Sequence, residues 1–323
     1  MARGRKRDGL YALDDLGVQS ALMAIKSGKA PVDMWHQRLG HPNSRLLHVL
    51  ASQNKIDVSS WLKKIEVCSS CQMGKSCRLP FSLNNNKATV PLEKIHCDLW
   101  GPAPVASVQN FRYYVIFIDD FTRFTWFYPL KRKSDFFTTF LSFQRLVENQ
   151  FDCKIKIFQC DGGGEFELTK FIDHLQSCGI QRHISCPGTP EQNGVAERKH
   201  RHLVETGLTM LFHAQLPKHF WIEAFATAIY LINRLPCTTL NMESPFFKLF
   251  QKAPDYNSLK VFGCRCFPYL RDYARNKFDY KSYPCVFVGY SPTHKGYRCL
   301  HPISKRIFIS RHVVFDEDVF SLY

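Results

Sequence analysis

The chain has 323 residues, 43 of them Lys or Arg and 28 Asp or Glu, for a formal charge of +15. That length accommodates two or three domains and at least one full core, and 45% hydrophobic with 22% charged residues excludes wholesale disorder. No apolar run approaches the roughly 20 residues of a bilayer span, and no apolar h-region follows the basic opening Met1–Gly9, so neither an integral membrane protein nor a secretory signal is expected.

In chain order, the first region runs to about residue 84. One helix is predicted from near Pro31, and a second through Leu46, Leu47, Val49 and Leu50 with Asn43 or Ser44 as its cap. The region closes in a Cys-rich knuckle, and the polar run Asn84-Asn85-Asn86-Lys87 reads as a linker. The second region, 88–255, reads as mixed α/β. Ile95–Trp100 is strand-like and stops at Gly101-Pro102, while Tyr113–Asp119 and Phe124–Leu130 form a hairpin turning at Asp120-Phe121-Thr122-Arg123. Ser134–Asn149 has helical spacing, with Phe136, Phe140, Phe143 and Val147 on one stripe and Ser134 as the cap. Then follow a strand at Lys154–Cys160, a helix at Thr169–Cys178 closed by Gly179, and a strand at Gln181–Cys186. Two long helices, Gly194–His213 and Lys218–Asn233, complete the element order of an RNase H-like architecture. The third region, 259–318, has short strands separated by Gly or Pro, at Lys260-Val261-Phe262, Cys285–Tyr290 and Arg306–Phe315, and reads as a small β-barrel.

The charge is uneven: +7 over residues 1–85, +2 over 86–256 and +6 over 257–323. Basic flanks favour a polyanion such as nucleic acid, and the near-neutral middle implies that carboxylates are kept where phosphate contact discourages them. Thirteen cysteines without an export signal point to a reducing compartment, where tight Cys pairs are metal-bound, buried or catalytic. His36 and His41 are spaced H-x4-H, and Cys68 and Cys71 C-x2-C, both within the range of tetrahedral structural zinc sites. A region this small has little core, so metal binding is expected to supply much of its folding free energy. Cys77 and His48 are rival ligands with looser spacing.

The middle region offers three carboxylates on separate elements. Asp98 lies on the first strand, Asp161 ends the fourth, and Glu197 sits in the first turn of a long helix, with 35 residues between Asp161 and Glu197. The run Gly162-Gly163-Gly164 after Asp161 is not a phosphate loop, because no Lys-Ser/Thr follows it. It is not a calcium loop either, because the twelfth position from Asp161 is Ile172. Two-metal phosphoryl transfer accounts for the set: two hard ions about 3.5–4 Å apart activate the attacking oxygen and stabilise the leaving one. Three carboxylates facing one site repel by roughly 4 kcal/mol per pair at 4 Å and an effective dielectric near 20, so an empty site is unfavourable and occupancy by metal ions is expected. Arg201 lies one helical turn after Glu197, with His200 three residues on; it can grip a DNA phosphate or simply pair with Glu197. Asp119 and Asp120 point to opposite faces and suit the hairpin turn, and Glu165 suits a loop role over that of an auxiliary ligand. The run Arg3-Gly4-Arg5-Lys6-Arg7 is a solvated basic terminus, with nuclear import as the competing reading.

Together, His36-x4-His41, Cys68-x2-Cys71-x2-Gly74-Lys75, Asp98-Leu99-Trp100-Gly101-Pro102, Asp161–Phe166 and Gln192–Lys199 resemble the integrase of copia-type LTR retrotransposons. Pro284–Tyr290 and Lys295-Gly296-Tyr297 resemble the segment that follows its core. The resemblance implies a zinc-binding pre-integrase module at 1–84, an RNase H-like integrase core at 88–255 and a small SH3-like β-barrel at 259–318. It implies structural Zn²⁺ on His36, His41, Cys68 and Cys71, two Mg²⁺ or Mn²⁺ ions on the catalytic Asp98, Asp161 and Glu197, and DNA contacts at Arg201 and Lys199. The activity implied is 3′-end processing of the element's DNA and strand transfer into target DNA, by a homo-multimer in the nucleus, cytoplasmic while in a virus-like particle. With no Asp-Ser/Thr-Gly protease motif and no Tyr-x-Asp-Asp polymerase motif, the chain reads as a fragment or truncated copy. The alternative is a non-catalytic zinc-containing DNA-binding or assembly protein derived from a retroelement.

Overall fold

The computed structural model describes residues 5–7, 10–12, 29–60, 67–77, 87–186, 189–271, 278 and 280–320. Arg3 and Gly4 of the basic run and Asn84–Asn86 of the polar linker lie outside these residues, as do Pro187 and Gly188, while Arg5–Arg7 is described as a strand. Residues 1–83 and 84–323 form two compact units. Among the described residues no helix is long and apolar enough to cross a membrane.

In the first unit, strands β1 (Arg5–Arg7) and β2 (Leu10–Ala12) pair antiparallel. Helices α1 (Val32–Arg38), α2 (Ser44–Ser52) and α3 (Ser69–Lys75) follow. Asn43 caps α2 as expected: its side-chain oxygen accepts the Leu46 N–H at 2.9 Å. An isolated bridge joins Ala30 to Val58, and the Trp35 indole donates to Asp57 O at 2.9 Å. Among the described residues of this unit the buried hydrophobics are Ala30, Val32 and Leu47.

The second unit contains two sheets. The first has the order β5-β4-β3-β6-β7, from β3 (Lys94–Trp100), β4 (Tyr113–Asp119), β5 (Thr125–Leu130), β6 (Ile157–Cys160) and β7 (Gln181–Ile184). β5, β4 and β3 run antiparallel; β3, β6 and β7 run parallel. Alternation on β3 and β4 divides the side chains between two cores. Ile95, Cys97, Leu99, Val115 and Phe117 pack on α4 (Phe136–Phe151) and α5 (Thr169–Ser177), where Phe136, Phe140, Phe143 and Val147 form the expected stripe. Tyr114, Ile116 and Ile118 face α6 (Gly194–His213) and α7 (Trp221–Ile232) through Leu203, Leu211, Trp221 and Phe225. A short α8 (Pro245–Phe250) follows, capped by Ser244.

The second sheet has the order β11-β10-β9-β8-β12, antiparallel throughout, from β8 (Arg265–Pro268), β9 (Cys285–Tyr290), β10 (Tyr297–Leu300), β11 (Ile307–Ser310) and β12 (Val313–Asp316). Its core contains four buried thiols, Cys264, Cys266, Cys285 and Cys299, with Phe287 and Phe308.

Four local expectations need correction. Ser134 does not cap α4; it lies in a 3₁₀ turn, Lys133–Asp135, where the Asp135 carboxylate accepts the Arg132 N–H at 3.0 Å. The strand at Lys154–Cys160 shortens to β6, because the Ile155 N–H goes to Glu148 and that of Lys156 to Glu93 O. Lys260-Val261-Phe262 is a turn: the Lys260 N–H donates to the Tyr290 hydroxyl, the Val261 N–H to Glu317, and Phe262 is buried in the core under α6 and α7. Arg306–Phe315 divides into β11 and β12 at Arg311-His312.

The two sheets share one body because α7 packs on β9. Tyr230 and Tyr290 stack at 3.9 Å, and Arg298 pairs with the buried Glu223 at 3.4 Å. Gly289, at φ +117°, lies so close to α7 that a Cβ there would overlap the Thr227 hydroxyl, itself donated to Glu223 O. Gly289→Ala is therefore expected to lower stability by about 2 kcal/mol or more, read as a drop in the thermal unfolding midpoint. An unchanged midpoint would show that α7 and β9 are not locked together.

Candidate catalytic centre and metal knuckle

Two clusters emerge, one in each unit. In the first, α1 presents His36, the turn after it His41, and the start of α3 Cys68 and Cys71. His36 Nε2 lies 3.2 Å from Cys71 Sγ, and His41 Nδ1 3.4 Å from Cys68 Sγ. All four ligand atoms fall within 4.8 Å of one another, the one set of three or more His, Cys, Asp or Glu that does so among the described residues. His36 Nδ1 lies 3.0 Å from Pro42 O; donating there leaves Nε2 as the free lone pair, the usual outer support of a metal-bound imidazole. Lys75 donates to the carbonyls of Gly40 and His41, tying α3 to the histidine turn. The Cys71 amide, helped by His36, draws the Cys68 thiol down to about 6, so it is thiolate at neutral pH. Two sulfurs and two imidazole nitrogens suit tetrahedral zinc. Cys77 is exposed and, like His48, outside the set.

In the second unit, β3 and β6 run parallel, so both deliver their carboxyl ends to the same edge of the sheet. Asp98 sits on β3, its side chain 20% exposed, and Asp161 directly follows β6 and is exposed. The Asp161 carboxylate accepts the Gly163 N–H at 3.1 Å, an Asx turn that folds it onto its own loop. Glu197 is exposed in the first turn of α6. The start of α6 is tied to the strands: Asn193 Nδ2 donates to Cys97 O at 3.3 Å, and Gln159 Nε2 donates to Gln192 O. The three carboxylates are spaced more widely than the four knuckle ligands, yet their charges interact. Burial first, then the charges of Asp161 and Glu197, push the Asp98 carboxyl up to about 6, and Glu165 adds to this. An all-oxygen donor set with that repulsion fits hard divalent cations.

Around Asp98 lies an aromatic block that sequence reasoning did not single out. His200 Nδ1 is 2.6 Å from the Tyr114 hydroxyl and 4.0 Å from Asp98 Oδ2. The His200 ring stacks on Tyr114 and neighbours Trp100. The signal was present as spacing: Trp100 is two residues after Asp98 on one strand face, and His200 three after Glu197 on one helix face. Arg201 is exposed on the Glu197 side of α6. Lys199, at i+2, faces elsewhere: burial draws its ammonium down to about 8, with Cys237 and Arg123 as lesser influences.

The remaining acids serve structure. Asp119 accepts the Leu92 N–H at 2.9 Å, the Thr122 N–H at 3.0 Å and the Thr122 hydroxyl at 2.6 Å. Asp120 pairs with His96 at 3.0 Å and Arg123 at 3.1 Å, so both hold the hairpin, as expected. Glu165 pairs with Lys133 at 3.4 Å.

Residues 9–76 match the GAG-pre-integrase domain, 88–190 the integrase core domain and 264–323 the retroviral polymerase SH3-like domain. The chain is 48% identical over 321 residues to the retrovirus-related Pol polyprotein from transposon RE1 of Arabidopsis thaliana, covering 99% of this chain and 22% of that protein. It is 39% identical over 317 residues to the Pol polyprotein from transposon TNT 1-94 of Nicotiana tabacum, covering 98% of this chain and 24% of that one. The chain thus spans about a quarter or less of the relatives it matches. Among solved structures it is similar to a simian T-cell lymphotropic virus intasome chain, at TM-score 0.49 and 14% identity over 87% of this chain and 98% of that one. It is also similar to the HTLV-2 integrase catalytic core, at TM-score 0.39 and 16% identity over 50% of this chain and 99% of that one. The chain thus carries pre-integrase, integrase-core and SH3-like segments in that order and is similar over nearly its whole length to one portion of these retrotransposon Pol polyproteins.

Proposed function

We propose that this chain is a D,D-35-E DNA strand transferase that processes the 3′ ends of the element's DNA and joins them to target DNA. The observation that carries the reading is that parallel β3 and β6 end together where the start of α6 is tied to both, with Asp98, Asp161 and Glu197 on or just after these elements and burial and the latter two charges raising the Asp98 carboxyl. Such an arrangement is unfavourable without a cation. Asp98, Asp161 and Glu197 are assigned the ion pair; bound there, Mg²⁺ or Mn²⁺ supplies the charge neutralisation and nucleophile activation of two-metal phosphoryl transfer. Asp98 gives up its proton when the site is loaded. Arg201, beside Glu197, is assigned the grip on a DNA phosphate; Lys199, expected from the resemblance to share it, is drawn inward and is given no part in it.

In end processing, a water oxygen bonds to phosphorus and the DNA 3′-oxygen leaves as a hydroxyl. In strand transfer, that 3′-hydroxyl bonds to a target phosphorus and displaces the target's own 3′-oxygen. One P–O bond forms for each that breaks, so the joining step needs no external energy source. His36, His41, Cys68 and Cys71 are assigned a structural Zn²⁺. The chain works as a homo-multimer on DNA in the nucleus, reaching it from the cytoplasm in a virus-like particle; these last parts rest on the family relationship.

Joining of an element-like oligonucleotide end to plasmid DNA in Mg²⁺ or Mn²⁺ tests the activity. Glu197→Gln is expected to lower joining by at least about 100-fold with the unfolding midpoint unchanged; unaltered joining would contradict the reading. The repulsion has its own signature. Asp98 titrates in the folded chain at about 6 against an ordinary 3.8, so its contribution to stability is present below pH 4 and lost as pH rises through 6. In chelator, Asp98→Asn is expected to be more stable than wild type by about 1–3 kcal/mol at pH 7.5 and level with it near pH 4. An equal difference at both pH values would remove the repulsion. For the knuckle, metal analysis is expected to give one zinc per chain, lost in Cys71→Ser together with the dispersion of amide signals from residues 29–77. Retention of zinc by that variant would move the site elsewhere.

A further inference from the structure

Trp100 ends β3, two residues beyond Asp98, so strand alternation puts both side chains on one sheet face about 7 Å apart. Its aromatic neighbours come from β4, α6 and α7. It pairs with Tyr114 on β4, with ring centroids 5.3 Å apart; His200 is at 5.9 Å, and Trp221 meets it edge-on at 6.1 Å. Trp221 is itself anchored, its indole N–H donated to Val105 O at 3.0 Å. On the other flank no strand continues. β6 pairs Gln159 with His96 and ends at Cys160, giving way to Asp161 and its glycines beside Asp98, short of Trp100. Tyr114 beneath is wholly buried, whereas Trp100 remains partly exposed at the rim of the carboxylate centre. A residue serving the core alone gains nothing from that exposure.

We propose that Trp100 is the stacking platform for an unpaired DNA base next to the reacting phosphodiester, an inference that rests on the strand-transferase reading. To bring the phosphorus of a duplex end against Asp98, base pairs beside it have to open, and the freed base loses its stacking partner. A rigid indole replaces that partner whatever the base, because every base has a π face. The spacing of about 7 Å equals roughly two 3.4 Å rises of a DNA strand, which places the stacked base within two nucleotides of the reacting phosphorus. Tyr114, His200 and Trp221 hold the ring in place beforehand, so the base is not required to order it.

A double-mutant cycle between protein and DNA tests this. Wild type and Trp100→Leu are compared in joining of duplex ends that are intact or carry one abasic residue at each of the last four positions in turn. Trp100→Leu is expected to reduce joining of intact ends about tenfold, within the range of base–aromatic stacking. On the end abasic at the stacked position the two proteins are expected to join equally, and Trp100→Phe to retain most of the wild-type rate. A second readout is independent of turnover. In the Glu197→Gln background, 2-aminopurine at that position is expected to be quenched on binding when Trp100 is present, and to stay bright when Trp100→Leu is added. The same loss on every abasic end, with no difference in quenching, would make the indole a packing residue and overturn the inference alone. Absence of joining by wild type in both metals would remove the strand-transferase reading, and this inference with it.

Discussion

The second unit depends on a repulsion that the fold holds in place. Asp98 is fixed on the central strand, Asp161 follows the parallel neighbour, and Glu197 is brought over both by a helix whose start is fastened to the same strands by Asn193 and Gln192. No side-chain cation among the described residues pairs with Asp98; its neighbour is His200 at 4.0 Å. The stability to oppose the repulsion comes from two apolar layers, the Phe-rich one under α4 and α5 and the aromatic one under α6 and α7. A centre that is costly when empty binds its cations the more strongly, and this links the packing of Phe136, Phe140 and Phe143 to chemistry on the opposite face.

The same logic runs through the aromatic layer. Tyr114, His200, Trp100 and Trp221 join the sheet to α6 and α7 directly behind the carboxylates. α7 in turn carries β9 through Tyr230, Thr227 and Glu223. Strands 265–316 are therefore built onto the helices that form the centre, and a disturbance at Gly289 or Arg298 has a packed path to Glu197. The first unit is arranged differently: among its described residues three hydrophobics are buried, and four side chains able to hold a metal converge between its short helices.

Much of this was legible in the residues. Period-2 and period-3.6 patterns located β3, β4, β5, α4 and α6, and ligand spacing alone selected the four knuckle residues that converge. What misled was local chemistry that competes with pattern. Ser134 is a good cap by type, but it lies inside a 3₁₀ turn that the Asp135 carboxylate closes by accepting the Arg132 N–H. Lys260-Val261-Phe262 has strand composition, but its amides go to Tyr290 and Glu317 and its Phe fills a distant core. Arg201 and Lys199 look alike in sequence, and only the helix phase separates the exposed cation from the one drawn inward. The aromatic setting of Trp100 and His200 escaped because the i+2 and i+3 spacings place them beside a carboxylate without saying what they pack against; that depends on which strand ends first.

The central claim is that Asp98, Asp161 and Glu197 hold one pair of divalent cations. The most direct measurement is an anomalous difference map from crystals of the chain grown with Mn²⁺. Two peaks about 3.5–4 Å apart, contacted by all three carboxylates, are the predicted result. A map with full manganese occupancy elsewhere and none between these residues would contradict it.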